Sequence, residues 1–205
     1  SSTLMIVIFT IFIFLEETHF DKKLKQFLSE STSNYKNLNS TLNKIEWSVA
    51  RYLGIKTMSS LLTGLLSFIV FYVCDLNFAI FWAFLIFLLN YIPTIGSLLA
   101  TIFPVVFSML QFGDFSNSLI ILFVVSAIQI IIGNLIEPRW MGNSMNISPL
   151  ISILSLMFWG LIWGTTGMIV SVPFTVVVII ILSEIESTRP LAILLSEKGD
   201  INEKR

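Results

Sequence analysis

Glu137 is the ionisable residue whose position points most directly to a function. It follows an apolar tract, residues 119–136, and stands directly before Pro138, with Arg139 two residues further on. Charged groups are costly at membrane depth and tend to be paired or functional there. Glu137 is therefore either a coupling residue of a transport path or half of a salt bridge that fixes a loop at the membrane surface. Both interpretations predict that Glu137 and Arg139 lie close together or share a partner.

Two apolar tracts are interrupted by residues that break helices. Residues 78–110 are broken at 90–96, and the tract that begins at Pro149 is broken at 160–167. Discontinuous helices leave backbone carbonyls and amides unpaired, so at membrane depth such breaks normally line a cavity. The alternative is that each break is a tight turn at the bilayer surface. Besides Glu137 and Arg139, the candidate residues of a substrate path or coupling site are Asn90, Pro93, Gly96, Asn134, Pro149, Gly160, Gly164 and Gly167.

Gly160 and Gly164 also form a GxxxG pair, which favours close packing between helices in lipid. This is a second interpretation of the same residues.

Catalytic and metal-binding side chains are scarce in the apolar tracts. The single histidine, His19, lies outside them, so neither a Ser/His pair nor a histidine-rich zinc site can be built there. Cys74 is the only cysteine, which excludes a disulfide within the chain. Asp75 and Asp114 fall between tracts and are better explained as turn residues than as an aspartyl pair. We therefore expect no enzyme activity, no metal site and no cofactor. Because the sequence has no nucleotide-binding loop, any coupled transport is expected to use an ion gradient and not ATP.

Apolar helices must hold these residues in place. The chain of 205 residues is 55% hydrophobic and only 12% charged, whereas soluble domains are about 25% charged. All twelve Lys and Arg residues fall in residues 22–56, at Arg139, or in residues 189–205. The composition predicts an all-α, polytopic transmembrane protein with broken or re-entrant helices. The main partner of such a protein is the lipid bilayer, and nothing in the composition suggests a nucleic-acid partner.

Four segments are expected along the chain. Residues 1–15 look like the truncated end of a transmembrane helix, which suggests the C-terminal part of a longer protein. Residues 16–56 have helical periodicity with polar residues between the apolar ones, so they are expected to form an amphipathic extramembrane helical segment. Its apolar stripe covers the same chain, an oligomer partner or the membrane surface. Residues 57–186 form the transmembrane domain and 187–205 a polar tail.

The distribution of basic residues predicts the topology. If residues 22–56, Arg139 and residues 189–205 all face the cytoplasm, the tract 78–110 must leave and return to the same side. A single crossing by that tract would place Arg139 and the C-terminus opposite residues 22–56. We favour the first arrangement.

Several strings match a pattern known from a bacterial membrane-protein family. They are Asn-Tyr-Ile-Pro-Thr-Ile-Gly-Ser at 90–97, Ile-Glu-Pro-Arg-Trp-Met-Gly-Asn-Ser at 136–144, Ile-Ser-Pro-Leu at 147–150, Phe-Trp-Gly at 158–160, Gly-Met at 167–168, Val-Pro at 172–173 and Thr-Arg-Pro-Leu-Ala-Ile-Leu-Leu at 188–195. In order and spacing they resemble the autoinducer-2 exporter family, also called the PerM-like permeases. The resemblance covers about residues 50–195.

This resemblance implies a multi-pass protein of the bacterial cytoplasmic membrane that assembles as a homo-oligomer. Members are associated with export of the quorum-sensing signal autoinducer-2, and some are described as exchanging monovalent cations for protons. The leading expectation is a secondary transporter of a small polar solute or an ion. A non-transporting membrane scaffold is the alternative from another class.

Overall fold

The computed structural model describes residues 11–12, 15, 32–142, 147–197 and 199. These residues form helices, turns and short irregular segments, and none of them forms a strand. Among these described residues, four helical stretches are long and apolar enough to cross a membrane: Leu38–Val73, Ile95–Phe112, Phe115–Met141 and Pro149–Glu184. The expectation of an all-α, polytopic membrane protein is confirmed.

The chain divides into two compact units, Ser1–Lys44 and Ile45–Arg205. In the first unit, Ile11, Phe12 and Leu15 are helical, and helix α1 (Thr32–Val73) begins there and continues into the second unit. Residues 1–10 and 16–31, on which much of the expected truncated helix and amphipathic segment falls, lie outside the described residues. The expected segment boundaries therefore stay predictions. All contacts described below belong to the second unit.

Helices α2 (Ala79–Leu89) and α3 (Ile95–Phe112) form a hairpin that starts and finishes at the same end of the second unit. The side-chain amide of Gln111, near the end of α3, joins the turn that precedes α2. Its Nε2 donates to the Asp75 carbonyl at 2.8 Å, and its Oε1 accepts from the Asn77 amide at 2.8 Å. The tract 78–110 does leave and return to one end, as predicted, and we call it the Asp75 end.

The break between α2 and α3 is a compact turn whose shape depends on Gly96. The amide of Ile92 donates to the Leu89 carbonyl at 2.9 Å, and the amide of Gly96 donates to the Ile92 carbonyl at 3.1 Å. A Cβ atom on residue 96 would lie 1.8 Å from the Leu89 carbonyl oxygen. Only glycine lets the start of α3 pass this close to the end of α2.

Helix α4 (Phe115–Ile130) begins four residues before the predicted tract and then changes its winding. Asp114 Oδ1 accepts from the Ser116 amide at 3.2 Å, so Asp114 caps α4 and is a turn residue, as expected. The last turns form a π-helix, Ile131–Ile136, which leads directly into the short helix α5 (Glu137–Met141).

Helix α6 (Pro149–Glu184) is bent back on itself at Gly164, which has φ 63° and ψ −141°. Residues 149–163 and 165–184 thus form a helical hairpin, as the sequence predicts. Helix α7 (Arg189–Leu195) follows it. The Ser148 amide donates to the Leu195 carbonyl at 3.3 Å, so both ends of this segment meet at one place.

Two apolar cores stabilise the second unit. One lies at the Asp75 end and contains Phe71, Leu76, Ile86, Ala100, Ile121 and Val125. The other joins α1 to α6 and α7 through Tyr52, Ile147, Val172, Val176, Ile179 and Ala192. We call the region of this second core the Glu137 end, because Glu137 lies beside the same part of α1.

Candidate functional site

Lys56 and Glu137 form a buried ion pair between α1 and the start of α5. Lys56 Nζ lies 2.8 Å from Glu137 Oε1, and the two side chains are only 9% and 12% exposed. The second carboxylate oxygen, Oε2, accepts from the Ser59 hydroxyl at 2.9 Å. Both oxygens of Glu137 thus have partners on one face of α1, since residues 56 and 59 are neighbours on a helix.

The π-helix places Glu137 at this position. The Glu137 amide donates to the Ile132 carbonyl, five residues back. A π-turn holds one more residue than an α-turn, so every side chain after it is rotated relative to a continuous α-helix. Such turns occur frequently at functional sites.

The first helix break contacts the same part of α1. Asn90 Nδ2 donates to Ser60 Oγ at 3.1 Å. The Tyr91 hydroxyl and Thr57 Oγ1 are 2.7 Å apart and share a hydrogen bond. The break and the ion pair therefore meet within about one turn of α1. We call this group the α1 polar cluster: Lys56, Thr57, Ser59, Ser60, Asn90, Tyr91 and Glu137.

Buried hydroxyls continue from this cluster toward the Asp75 end. Ser59, Ser60, Thr63 and Ser67 are all at most 1% exposed. Thr63 Oγ1 donates to the Ser59 carbonyl at 2.8 Å, whereas Ser67 Oγ is buried and has no hydrogen-bond partner among the described residues. The inner face of α1 is consequently polar well inside a tract that carries no charge.

No pairing of Glu137 with Arg139, and no partner shared by the two, is found among the described residues. The partners of Glu137 are Lys56 and Ser59, while Arg139 is exposed and forms no ion pair with Glu137. Residues two apart on a helix point in different directions, so Arg139 cannot follow Glu137 toward α1. Lys56 was missed because its only signals are indirect: it is the last basic residue before a long tract without Lys or Arg, and Ser59 and Ser60 follow it.

The other residues predicted near the first break and Glu137 have different positions. Pro93 lies half-buried in the turn, and Gly96 shapes that turn without contributing a polar side chain. Asn134 lies in the π-helix and is exposed. Of these three residues, Gly96 has the clearest structural role.

The second helix break is not brought into the α1 polar cluster by any described contact. Its Trp159 donates from Nε1 to Thr175 Oγ1 at 3.1 Å and stacks on Trp163 with ring centroids 5.1 Å apart. Gly167 is needed because a Cβ there would lie 1.9 Å from the Trp159 carbonyl oxygen. This break is a tight hairpin turn whose tip, residues 161–166, is exposed.

The remaining candidates on α6 also have structural roles. Pro149 is exposed in the first turn of α6, where a proline is well tolerated. The GxxxG interpretation of Gly160 and Gly164 is wrong because Gly164 is not helical. The two glycines therefore do not share a helix face, and Gly160 packs instead against the Met168 side chain of the same hairpin.

Comparison with known proteins identifies the family. The model of the AI-2E family transporters matches residues 1–187. A putative transport protein of Haemophilus influenzae is 37% identical over 200 residues, which cover 98% of this chain and 57% of that protein. The AI-2 transport protein TqsA of Escherichia coli K12 is 36% identical over 197 residues, covering 96% and 56%.

A putative transport protein of Borreliella burgdorferi is 36% identical over 198 residues, covering 95% of this chain and 54% of that protein. The chain thus spans just over half the length of these curated relatives. The resemblance drawn from the motifs is confirmed, and the chain belongs to the AI-2E transporter family.

Proposed function

We propose that this chain forms part of a secondary transporter that exports a small polar solute of the autoinducer-2 type across the bacterial cytoplasmic membrane. Family membership supports transport, and the similarity to the AI-2 transport protein TqsA supports this class of solute. We further propose that the protein works as a homo-oligomer.

The observation that carries the proposal is the meeting of a buried ion pair with a broken helix in the α1 polar cluster. A buried pair is weak evidence for stability, because the desolvation of both charges offsets their attraction. Membrane proteins that move polar solutes combine discontinuous helices with ionisable groups at the solute path. The cluster has both features, on segments that are far apart in the chain.

The cluster also has suitable chemistry for a polyhydroxylated solute. Serine and threonine hydroxyls donate and accept, an asparagine amide does both, and the ion pair supplies one charge of each sign. Hydroxyls of a solute entering beside Asn90 and Ser60 can exchange hydrogen bonds with these groups without leaving a buried donor unpaired. In this mechanism, separation of Lys56 from Glu137 opens the path, and re-formation of the pair closes it.

A second function of the same family is favoured by the pairing of Glu137 with a cationic group, the Lys56 ammonium, at 2.8 Å. A carboxylate that alternates between a lysine partner and a proton is suited to proton exchange, so the protein would be a monovalent cation/proton antiporter. In this mechanism Glu137 binds the proton or the cation directly.

Flux through the full-length protein in proteoliposomes distinguishes these functions. Glu137→Gln keeps the shape and one hydrogen-bond acceptor but removes the charge, and Glu186→Gln is the matched control because Glu186 is an exposed carboxylate in the turn before α7. We expect Glu137→Gln to reduce export of a furanone-type signal at least tenfold and Glu186→Gln to change it less than twofold. Cation-driven proton movement, without signal export, would establish the antiporter instead. Unchanged flux of both kinds in Glu137→Gln would remove Glu137 from the transport mechanism.

A further inference from the structure

An aromatic groove containing a guanidinium group lies at the Glu137 end, separate from the α1 polar cluster. It is an open surface groove with a volume of about 510 Å³, lined by Trp47, Ala50, Arg51, Ile55 and Trp140. Trp47, Ala50, Arg51 and Ile55 lie on α1 at helical spacing, and Trp140 is on α5. The groove is thus formed between α5 and one side of α1.

Arg51 is held in a fixed position in this groove. Its Nη2 donates to the Trp140 carbonyl at 3.2 Å, and its guanidinium carbon lies 4.9 Å from the centre of the Trp47 ring. The carbonyl is one that the end of a short helix leaves without an intrahelical partner. These two contacts orient the guanidinium group but use only part of its donor capacity.

The Nε atom of Arg51 is buried and has no hydrogen-bond partner among the described residues. A buried, unpaired donor on a charged group is costly, so the protein contacts of Arg51 leave its guanidinium group incompletely satisfied. None of the residues that line the groove is acidic. An anion in the groove would accept from the guanidinium hydrogens that the Trp140 contact leaves available, since guanidinium groups bind phosphate and carboxylate oxygens well.

The position of the groove favours a lipid head group as the anion. Trp47 is 46% exposed and Trp140 is 39% exposed, and tryptophans that bound an apolar surface are typical of the membrane–water interface. Arg51 lies just outside the charge-free tract that begins after Lys56. Basic pockets between helices on the cytoplasmic side, where we expect the basic residues to lie, are suited to anionic head groups.

We propose that this groove binds the phosphate group of an anionic phospholipid, with Arg51 gripping the phosphate oxygens and the two indole rings covering the glycerol region. The acyl chains extend along the apolar surface beside Ile55. This site is independent of the proposed transport function, because no residue of it belongs to the α1 polar cluster.

Lipid binding to the full-length protein, measured by native mass spectrometry, tests this site. Phosphatidylglycerol is compared with phosphatidylethanolamine, and inorganic phosphate is added in a third series. Arg51→Gln removes the guanidinium group, and Arg139→Gln is the control because it removes one exposed positive charge from the same end. We expect Arg51→Gln to weaken phosphatidylglycerol binding about tenfold, and Arg139→Gln to weaken it less than about threefold.

Each other outcome decides against the site as proposed. Equal losses in both variants would mean general attraction between basic residues and anionic lipid. Equal binding of the two lipids by the wild-type protein would mean that the site does not select a head group of net negative charge. Competition by inorganic phosphate at equal concentration would mean a free-phosphate site. Should Arg51→Gln not fold, Trp47→Leu replaces it: a selective loss of phosphatidylglycerol binding of at least threefold supports the site, and unchanged binding overturns it.

Discussion

The side-chain amide of Asn90 donates to Ser60 Oγ at 3.1 Å, and this bond helps to join the break between α2 and α3 to the helix that holds Lys56. One residue earlier on α1, the Ser59 hydroxyl binds Glu137 at 2.9 Å. The broken helix and the ion pair are therefore held by adjacent serines.

Asn90→Ala is expected to lower transport at least fivefold, because it removes the only side-chain amide from the α1 polar cluster and leaves Ser60 buried without this partner. Asn134→Ala is the control, since Asn134 was also a candidate from sequence but is exposed. Flux in proteoliposomes, normalised to protein content, measures both. Equal effects of the two substitutions would contradict a special role for Asn90.

Lys56→Met should destabilise the protein by about 3–5 kcal/mol, because it leaves the carboxylate of Glu137 buried without its counter-ion. The double variant Lys56→Met/Glu137→Met should recover most of that stability, since both charges are then absent. Reversible unfolding in mixed micelles measures the free energies of the wild-type protein, of Lys56→Met, of Glu137→Met and of the double variant. If the double variant is as unstable as the sum of its singles, the two residues are not coupled.

The double variant also separates stability from function. We expect it to fold and to transport at least tenfold more slowly than the wild-type protein, because the cluster has lost both of its charged groups. Wild-type flux from this variant would show that the ion pair has only a structural role.

Gly96→Ala should destabilise the protein by about 3 kcal/mol or more, because the added methyl group overlaps the Leu89 carbonyl. Gly54→Ala is the control within a helix. A Cβ on residue 54 meets nothing within 4 Å, so this change should be neutral or stabilising by up to about 1 kcal/mol. Thermal unfolding in detergent distinguishes the two, and similar midpoints for both variants would contradict the tight turn.

Gly164→Ala is expected to cost about 1–3 kcal/mol through backbone strain alone, since φ 63° with ψ −141° suits glycine and few other residues. Gly113→Asn is the matched comparison. Gly113 also has a positive φ, 62°, but its ψ of 11° is in a region that asparagine tolerates. Unfolding midpoints measure the stability of both variants. A larger loss of stability in Gly113→Asn than in Gly164→Ala would contradict this explanation.

Features encoded locally were predictable from the sequence. Proline and glycine at 93 and 96, and the glycines of 160–167, mark two hairpins inside apolar tracts, and both are present. Asp114 is a helix cap because its side chain binds an amide two residues away. Each of these features depends on residues close together in the chain.

Features that depend on tertiary packing or on local winding were missed or misread. Lys56 and Glu137 are 81 positions apart, and no periodicity connects them. The π-helix before Glu137 rotates it toward α1, which the apolar pattern of 119–136 does not reveal. The GxxxG interpretation failed because a left-handed φ at Gly164 removes the helix that the motif assumes.

Labelling of a cysteine at position 59 during transport tests the central claim most directly, because Ser59 touches Glu137 and is fully buried at rest. The measurement uses an active Ser59→Cys variant of the full-length protein without other cysteines, a water-soluble thiol reagent, and Ser108→Cys as an equally buried control at the Asp75 end. We expect Cys at 59 to react at least tenfold faster during solute export than at rest, while Cys at 108 stays protected. A protein that exports its solute while both positions stay equally protected would show that the Lys56–Glu137 pair is a static bridge outside the path.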